Sequence, residues 1–278
     1  MRILKHGKGL SVEAPAKINL FLEVLGRRPD GYHDLVTVMQ EIALADVLEV
    51  EPAEGLSLDV EGVAIPPGGE NLVLKAARLL QRSAGVSLGA RFRLLKRVPP
   101  GAGLGGGSSN AAAALALCAE LWDLGASTAD LAKVGAEVGS DVPYFLYGGT
   151  ALCTGRGEVV QSLAPCASLP LTLVWPGVVL STQSVYEAVR AASSTPKNVD
   201  DFLAALTRGE PGAALFNRLE EAALKVCPEL SDVHRGLEGR GFQGVGMSGS
   251  GSAFYGIGAG KPPEKPPGSW KVWITSIP

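Results

Sequence analysis

Histidine and cysteine are scarce in this chain of 278 residues, with three of the first and four of the second, all widely spaced. No C-x-x-C pair or histidine cluster occurs, so neither a structural zinc site nor a disulfide framework is expected. Cys118, Cys153, Cys166 and Cys227 read as reduced thiols of a cytoplasmic protein. Excess positive charge is lacking too: the net charge is −3, which argues against a nucleic-acid partner. An unbroken apolar span is also missing. Val98 to Ala119 and Val159 to Tyr186 carry no charge, but proline and glycine interrupt both, so neither is expected to cross a membrane. Arg2, Lys5 and Lys8 fall where a signal peptide needs its apolar stretch. What is present is a chain 46% hydrophobic and 19% charged, the composition of a packed protein long enough for two cores.

The patterning predicts mixed secondary structure. Even positions from Val12 to Val24 are apolar at period two, which predicts a strand over 11–25, followed by a turn at Arg27–Gly31. Further strands are expected at 35–42, 47–50 and 56–60, and a loop at Pro66–Gly69. Helices are expected at 71–83, 108–121 and 128–138, the last capped by Ser127, with a strand over 91–98 between the first two. The C-terminal part predicts a strand at 171–175 and helices at 185–192, 199–208, 214–226 and 230–238. It then predicts strands at 242–247, 253–257 and 270–275, with a Pro-rich linker at 261–268. This order predicts a two-domain α+β protein, with domains at 1–160 and 161–278.

The segment Pro99-Pro-Gly-Ala-Gly-Leu-Gly-Gly-Gly-Ser-Ser-Asn110 lies between a predicted strand and a predicted helix. Gly101, Gly103, Gly105, Gly106 and Gly107 allow close approach of backbone to a ligand. Ser108, Ser109 and Asn110 add donors where the helix begins, and a helix N-terminus favours an anion such as a polyphosphate. A plain turn and a dinucleotide site are the alternatives. Gly101 to Gly106 matches G-x-G-x-x-G, but the acids some twenty residues on, Glu120 and Asp123, fall at the end of a helix rather than of a strand. No G-K-[ST] follows the glycines, so an ATP loop here is outside the Walker class.

Pro99 to Asn110 resembles the phosphate loop of the galactokinase, homoserine, mevalonate and phosphomevalonate (GHMP) kinase superfamily. The motif Ala14-Pro-Ala-Lys17-Ile-Asn19-Leu and the second glycine loop, Gly246-Met-Ser-Gly-Ser-Gly-Ser-Ala253, match its other two motifs in the same order. Within it, Lys17 to Leu22, Arg28-Pro-Asp-Gly-Tyr-His33, Gly105 to Asn110 and Ser140-Asp-Val-Pro143 are together similar to the 4-diphosphocytidyl-2-C-methyl-D-erythritol kinase family of the non-mevalonate isoprenoid route. The likeness runs from about Ala14 to Ala253. It departs in the tail, where Gly260 to Gly268 replaces a further helix, and at Met39, where relatives often carry an aromatic.

The resemblance implies a two-domain GHMP fold with the active site in the cleft between domains. It also implies ATP and Mg²⁺ as cofactors, and a small-molecule acceptor built on a cytidine diphosphate polyol. Asp141 is then the catalytic carboxylate that orients or deprotonates the acceptor hydroxyl; by its own chemistry it is equally a turn or capping residue. Lys17 stabilises charge growing on the phosphoryl group, where its own surroundings also admit an edge-strand lysine. Tyr32 and His33 stack on and read cytosine, with Tyr186 as the second wall and Thr182 beside it, and Asn19 is a donor to the polyol or phosphate. Gly249, Ser250 and Gly251 support either the substrate diphosphate or the catalytic loop. Asn71 caps a helix or lies beside adenine, and Pro99 and Leu104 belong to the ATP loop. Lys96 and Arg97 are solvated charges or nucleotide contacts. Ser108 is the candidate contact to Mg²⁺, with no carboxylate pair to name beside it. Three rivals stay open: another GHMP kinase, a nicotinamide oxidoreductase using the G-x-G-x-x-G, and a nucleotide-binding regulator.

Overall fold

The computed structural model describes residues 1–64, 71–189, 196–264 and 266–278. The predicted loop at Pro66–Gly69, the end of the predicted helix at 190–192 and Lys265 of the linker lie outside these residues. The first domain runs β1 (Leu4–His6), β2 (Gly9–Arg27), β3 (His33–Ala53), β4 (Leu56–Gly62), α1 (Leu72–Ala84), β5 (Gly89–Lys96), α2 (Gly106–Leu121), α3 (Thr128–Val138), α4 (Val142–Tyr147), β6 (Thr150–Gly155) and β7 (Val159–Ser162). The second contains β8 (Leu169–Trp175), α5 (Thr182–Ala188), α6 (Val199–Thr207), β9 (Phe216–Asn217), α7 (Arg218–Val226), α8 (Leu230–Leu237), β10 (Gly244–Met247), β11 (Phe254–Ile257) and β12 (Lys271–Ile277).

The two predicted strands at 35–42 and 47–50 are one strand, β3, long enough to serve two neighbours. Its first half pairs with β6, from Leu35↔Gly155 to Gln40↔Thr150, and its second half pairs with β5, from Val47↔Leu95 to Ala53↔Gly89. Along its other edge lies β2, with a register jump between Pro15↔Ala45 and Ala16↔Ile42. This irregularity kinks the sheet next to Lys17 and Asp46, in keeping with the habit of bulges to lie beside functional sites. Helices α1 and α2 cover one face of the sheet, packing against Val12, Leu48, Val50, Phe92 and Leu94. Alanines 111–114 of α2 are wholly buried, and their small side chains let the helix axis come close to β2.

A second sheet, in the order β10-β11-β8-β12, is antiparallel throughout. It meets the first across a shared apolar layer: Ala16, Ile18, Leu20, Val38 and Ile42 on one side, Leu171, Leu173, Tyr255 and Ile257 on the other. Val98, Ala102 and Leu104 of the glycine-rich loop belong to the same layer, which fixes the loop at the seam between domains. The predicted helix at 214–226 begins only at Arg218. Phe216 and Asn217 instead pair in parallel with Phe21 and Leu22, a β contact that ties the second domain to β2. Sequence patterning missed α4, β6 and β7, because Pro143 and Gly148-Gly149 read as loop; Pro143 sits in the first turn of α4, where proline costs no hydrogen bond. Among the described residues no helix is long and apolar enough to cross a membrane.

Candidate active site

At the seam, strand β2 carries Lys17 into the interior, where its side chain is 4% exposed. Its Nζ donates to Asn19 Oδ1 at 2.5 Å and to the Gly103 carbonyl at 3.0 Å, and stands 3.8 Å from Asp141 Oδ2. Burial pushes the lysine pKa down, while the negative charge of Asp141 opposes that shift. Asp141 occupies the N-cap position of α4 but makes no side-chain capping bond, and its side chain is 31% exposed. A carboxylate that does not cap its helix, faces solvent and pairs with a buried ammonium is available to a substrate. Asp141 therefore lies in a turn without capping the helix through its side chain, and Lys17 is buried rather than exposed on a sheet edge.

The glycine-rich loop reaches the same point from the other side. Lys17 N donates to the Leu104 carbonyl at 3.0 Å, so loop and strand are directly joined. Gly103 has φ +76°, and a Cβ there would fall 2.0 Å from the Ser248 carbonyl oxygen, a position only glycine can hold. Gly105, at φ +69°, precedes α2, where a Cβ would meet the Phe145 ring at 2.7 Å and Lys17 Cγ at 3.1 Å. Gly101 also has positive φ, whereas Gly106 and Gly107 are already the first turn of α2. The free backbone N–H groups of that first turn, with Ser108 partly exposed among them, form an anion cradle. Pro99 and Leu104 are buried beneath it.

Two side chains expected to contact nucleotide do not face it. Asn110 is buried, and its Nδ2 donates to Asp46 Oδ2 at 2.9 Å. Ser109 is fully buried, its hydroxyl without a hydrogen-bond partner among the described residues. Both lie on the inner side of α2, a consequence of helical phase that a contiguous motif hides. Lys96 is not a solvated charge: it is buried against Asp46 through a short ion pair, with its Nζ beside Gly106. Asp46 Oδ1 accepts from Arg97 N at 2.7 Å and Val98 N at 2.8 Å. This wholly buried carboxylate binds the end of β5, the start of the loop and the first turns of α2 together. Sequence reasoning missed it; a lone Asp in the apolar run Ala43-Leu-Ala-Asp46-Val-Leu was the available signal. Asn71 Oδ1 accepts from Val73 N at 3.0 Å, so it caps α1, and Leu72 lies beside Gly107.

The second glycine loop braces the first. Ser248 Oγ donates to the Gly103 carbonyl at 2.8 Å, and Ala253 N donates to the Ala102 carbonyl at 3.1 Å. Gly249 packs on Lys17 and Asn19, with ideal Cβ distances of 3.3 Å to Lys17 Nζ and 3.4 Å to Asn19 Oδ1. Asn217, also unforeseen, donates from Nδ2 to the carbonyls of Met247 and Gly249 at 2.9 and 2.8 Å. Gly249, Ser250 and Gly251 are buried, with Gly249 against Gly103, Lys17 and Asn19. Ser250 Oγ lies 3.1 Å from the hydroxyl of Thr182, which is exposed at the start of α5. Asn19, expected as a donor to substrate, is buried and donates from Nδ2 to Thr37 Oγ1 at 2.8 Å; its oxygen holds Lys17.

Tyr32, 54% exposed, projects beyond the turn at the end of β2. His33 and Tyr186 stack directly, ring centroids 5.0 Å apart, which leaves no room for a base between those two rings. Burial, and then Arg27, push the His33 pKa down, which favours the neutral ring. Burial raises the Tyr186 pKa, with Asp141 adding to the effect. Met39 is buried in the sheet beneath the β6–β7 turn, so it does not line an open pocket. That turn brings Gly157 against Asp141, its ideal Cβ 3.6 Å from Oδ1, and Arg156 lies over the Tyr32 ring at 4.8 Å. A separate hollow of about 660 Å³ on the outer face of the larger sheet shares no residue with this site, and its arginines are neutralised by Arg91–Asp59 and Arg93–Glu61 pairs.

Comparison with known proteins fits this geometry. Residues 71–149 match the family model of the GHMP kinase N-terminal domain. A 4-diphosphocytidyl-2-C-methyl-D-erythritol kinase of Pelotomaculum thermopropionicum is 47% identical over 253 residues, covering 88% of each chain. One of Moorella thermoacetica is 43% identical over 258 residues, covering 90% of each. A crystal structure of a 4-(cytidine 5'-diphospho)-2C-methyl-D-erythritol kinase superposes with a TM-score of 0.78 at 39% identity, over 96% of this chain and 98% of that one. The mevalonate kinase of L. major shares the fold, with a TM-score of 0.73 at 19% identity, over 99% of this chain and 96% of that one. The chain belongs to the GHMP kinases and, within them, to the 4-diphosphocytidyl-2-C-methyl-D-erythritol kinase family.

Proposed function

We propose that this protein transfers the γ-phosphoryl group of ATP to the 2-hydroxyl of 4-diphosphocytidyl-2-C-methyl-D-erythritol, a step of non-mevalonate isoprenoid precursor synthesis in the cytoplasm. The observation that carries the reading is the meeting of Lys17, Asp141 and the glycine loop at one point: an ammonium 3.0 Å from the Gly103 carbonyl and 3.8 Å from a partly exposed carboxylate. Phosphoryl transfer needs positioning and charge stabilisation more than covalent chemistry, and these groups supply both.

In this reading the N–H groups at the start of α2 hold the triphosphate, and Gly103 and Gly105, which lack a Cβ, let the loop pack against Ser248, Phe145 and Lys17 so that those N–H groups stand beside the lysine. Mg²⁺ would draw charge from the β and γ oxygens, with Ser108 as the side chain placed to touch it. Among the described residues no cluster of three acidic, cysteine or histidine groups could hold a metal alone, as suits an ion carried mainly by phosphates and water. Asp141 aligns the acceptor hydroxyl and takes its proton, and Lys17 offsets charge on the transferring oxygens. Asn19 and Ser248 position the lysine and the loop. Tyr32, His33 and Thr182 face the acceptor, and cytosine uses Tyr32, because His33 and Tyr186 are stacked on each other. A boundary at 160–161 would divide β7 (Val159–Ser162), so this reading moves it to the stretch between Ser162 and Leu169, where β8 starts.

The test is an ADP-release assay with Mg-ATP and four acceptors: the cytidine diphosphate methylerythritol substrate, mevalonate, homoserine and galactose. Turnover with the first alone is expected. Turnover with another acceptor instead would keep the kinase and discard the cytidine pocket.

A further inference from the structure

Between the two ends of the candidate acceptor site stands an arginine that none of the motifs contains. Arg156 sits at the tip of the β6–β7 hairpin, flanked by Gly155 at φ +71° and Gly157 at φ +112°. Its guanidinium carbon lies 4.8 Å from the centre of the exposed Tyr32 ring. The residue after it, Gly157, packs against Ser140, Asp141 and Met39. The hairpin therefore spans from the aromatic expected to take the base to the carboxylate expected to take the hydroxyl. Glu158 orients the arginine, accepting from its backbone N at 2.6 Å and its Nε at 3.4 Å. The ion pair with Glu158 comes closest through Nε, and among the described residues no hydrogen bond engages Nη1 or Nη2.

Two other cations near this site are already committed. Lys17 is paired with Asp141 and Asn19. Arg28 is held by Asp30 and Asp34, at 3.2 and 2.7 Å. Arg27 is exposed at the end of β2, opposite His33 across the strands, and is the rival cation. The surroundings are otherwise acidic: Asp30, Asp34, Asp141 and Glu158. An acceptor with a base at one end and a reacting hydroxyl at the other carries its diphosphate midway, and that dianion needs a cation there.

We propose that Arg156 grips the diphosphate of the acceptor and so selects a nucleoside diphosphate over an uncharged polyol. The inference rests on the function proposed above and adds the residue that reads the acceptor's charge. A guanidinium with a planar, pre-oriented fork recognises phosphate by two parallel hydrogen bonds, and Tyr32 and Glu158 hold that plane in place before the ligand arrives.

The experiment compares CDP and cytidine binding by calorimetry, with the nucleotide site filled by a non-hydrolysable ATP analogue. Wild type, Arg156→Ala, Arg156→Lys and Arg27→Ala are measured in parallel. Loss of a charge-assisted contact is expected to weaken CDP by on the order of 10- to 100-fold in Arg156→Ala while leaving cytidine nearly unchanged. Arg156→Lys restores part of the loss, and Arg27→Ala does not reproduce it. In steady state the KM for the cytidine substrate rises by a similar factor, with the KM for ATP as the internal reference. An unchanged CDP-to-cytidine ratio in Arg156→Ala overturns the proposal. So does an equal weakening of both ligands, which would make Arg156 a prop for Tyr32, or a loss of the same size in Arg27→Ala. Because the ratio is read by binding, a wild type that fails to phosphorylate the substrate would sink the kinase reading without deciding the role of Arg156.

Discussion

The nucleotide end and the acceptor end of the site are built in opposite ways. In the proposed reading the nucleotide end is one contiguous segment, Pro99 to Ser108, which offers backbone N–H groups and the Ser108 hydroxyl, while Ala102 and Leu104 are buried in the layer between the sheets. The acceptor end takes single side chains from separate places: Lys17 from β2, Tyr32 and His33 from the following turn, Asp141 from the start of α4, Arg156 from the β6–β7 hairpin and Thr182 from α5. The first rests on a buried support, in which Asp46 gathers Lys96, Asn110 and two backbone N–H groups. The second is exposed, and its parts are held by pairwise contacts. A backbone cradle gives affinity for any polyphosphate, whereas scattered side chains can be exchanged to suit one acceptor or another. The shared fold of a mevalonate kinase at 19% identity shows how far sequence can change while that frame remains.

The contrast predicts that damage at the two ends will look different. Asp141→Asn is expected to give the largest effect, a fall in kcat on the order of 10²- to 10⁴-fold. Its loss of Tm should be smaller than that of Asp46→Ala, because Asp141 is partly exposed and Lys17 keeps Asn19 and the Gly103 carbonyl as acceptors. Single-turnover rates and thermal melts check it; full activity would remove Asp141 from the chemistry. Next, Asp46→Ala strands the buried Lys96 ammonium and two backbone N–H groups, which is expected to cost about 3–5 kcal/mol of stability. Denaturant unfolding measures that loss, and the KM for ATP in the surviving fold should rise more than that for the acceptor. If Asp46→Ala were neutral, or if Asp141→Asn were the more destabilising of the two, the division between a buried frame and an exposed working edge would be wrong.

The smallest effect concerns pH. Burial lowers the Lys17 pKa below its ordinary 10.5, so the folded protein releases that proton at lower pH than the unfolded chain does. The unfolded state then binds more protons on the alkaline side, and stability contributed by this group rises with pH up to about 10.5. Lys96 is shifted the same way by its burial. Lys17→Met should flatten part of that alkaline rise, as seen in ΔG of unfolding between pH 8 and 10.5. A steeper rise in the variant would reverse the sign of the lysine's contribution.

The same contrast explains what could be read in the chain beforehand. Glycine loops announce themselves where glycine serves a local backbone need, so Gly101 to Gly105 and Ser248 to Gly251 are legible as loops and in their order, whereas the start of α2 at Gly106, two residues before the expected Ser108, is not. The helices around them followed from periodicity and caps: Ser127 forms a capping box with Asp130, and Asn71 caps α1. Helical phase was not legible inside the motif, which is why Ser109 and Asn110 were placed on the ligand side when they face the interior. Nor could spacing reveal that Asp46 and Lys96, fifty residues apart, would form the ion pair under the loop. The β6–β7 hairpin went unread because its glycines resemble those of any loop, and Arg156 gains meaning only from the Tyr32 ring and Asp141 that the sheet brings beside it. The stacking of His33 on Tyr186 is likewise a tertiary fact, set by α5 packing against the end of β2.

The most direct test of the central claim is ³¹P NMR of the product formed from Mg-ATP and acceptor labelled with ¹³C at carbon 2. The account predicts a new phosphomonoester resonance coupled to that carbon, with the diphosphate signals of the acceptor retained and one ADP formed for each. A new resonance on any other carbon, extension of the diphosphate chain, or ADP formed without a new ester would contradict it.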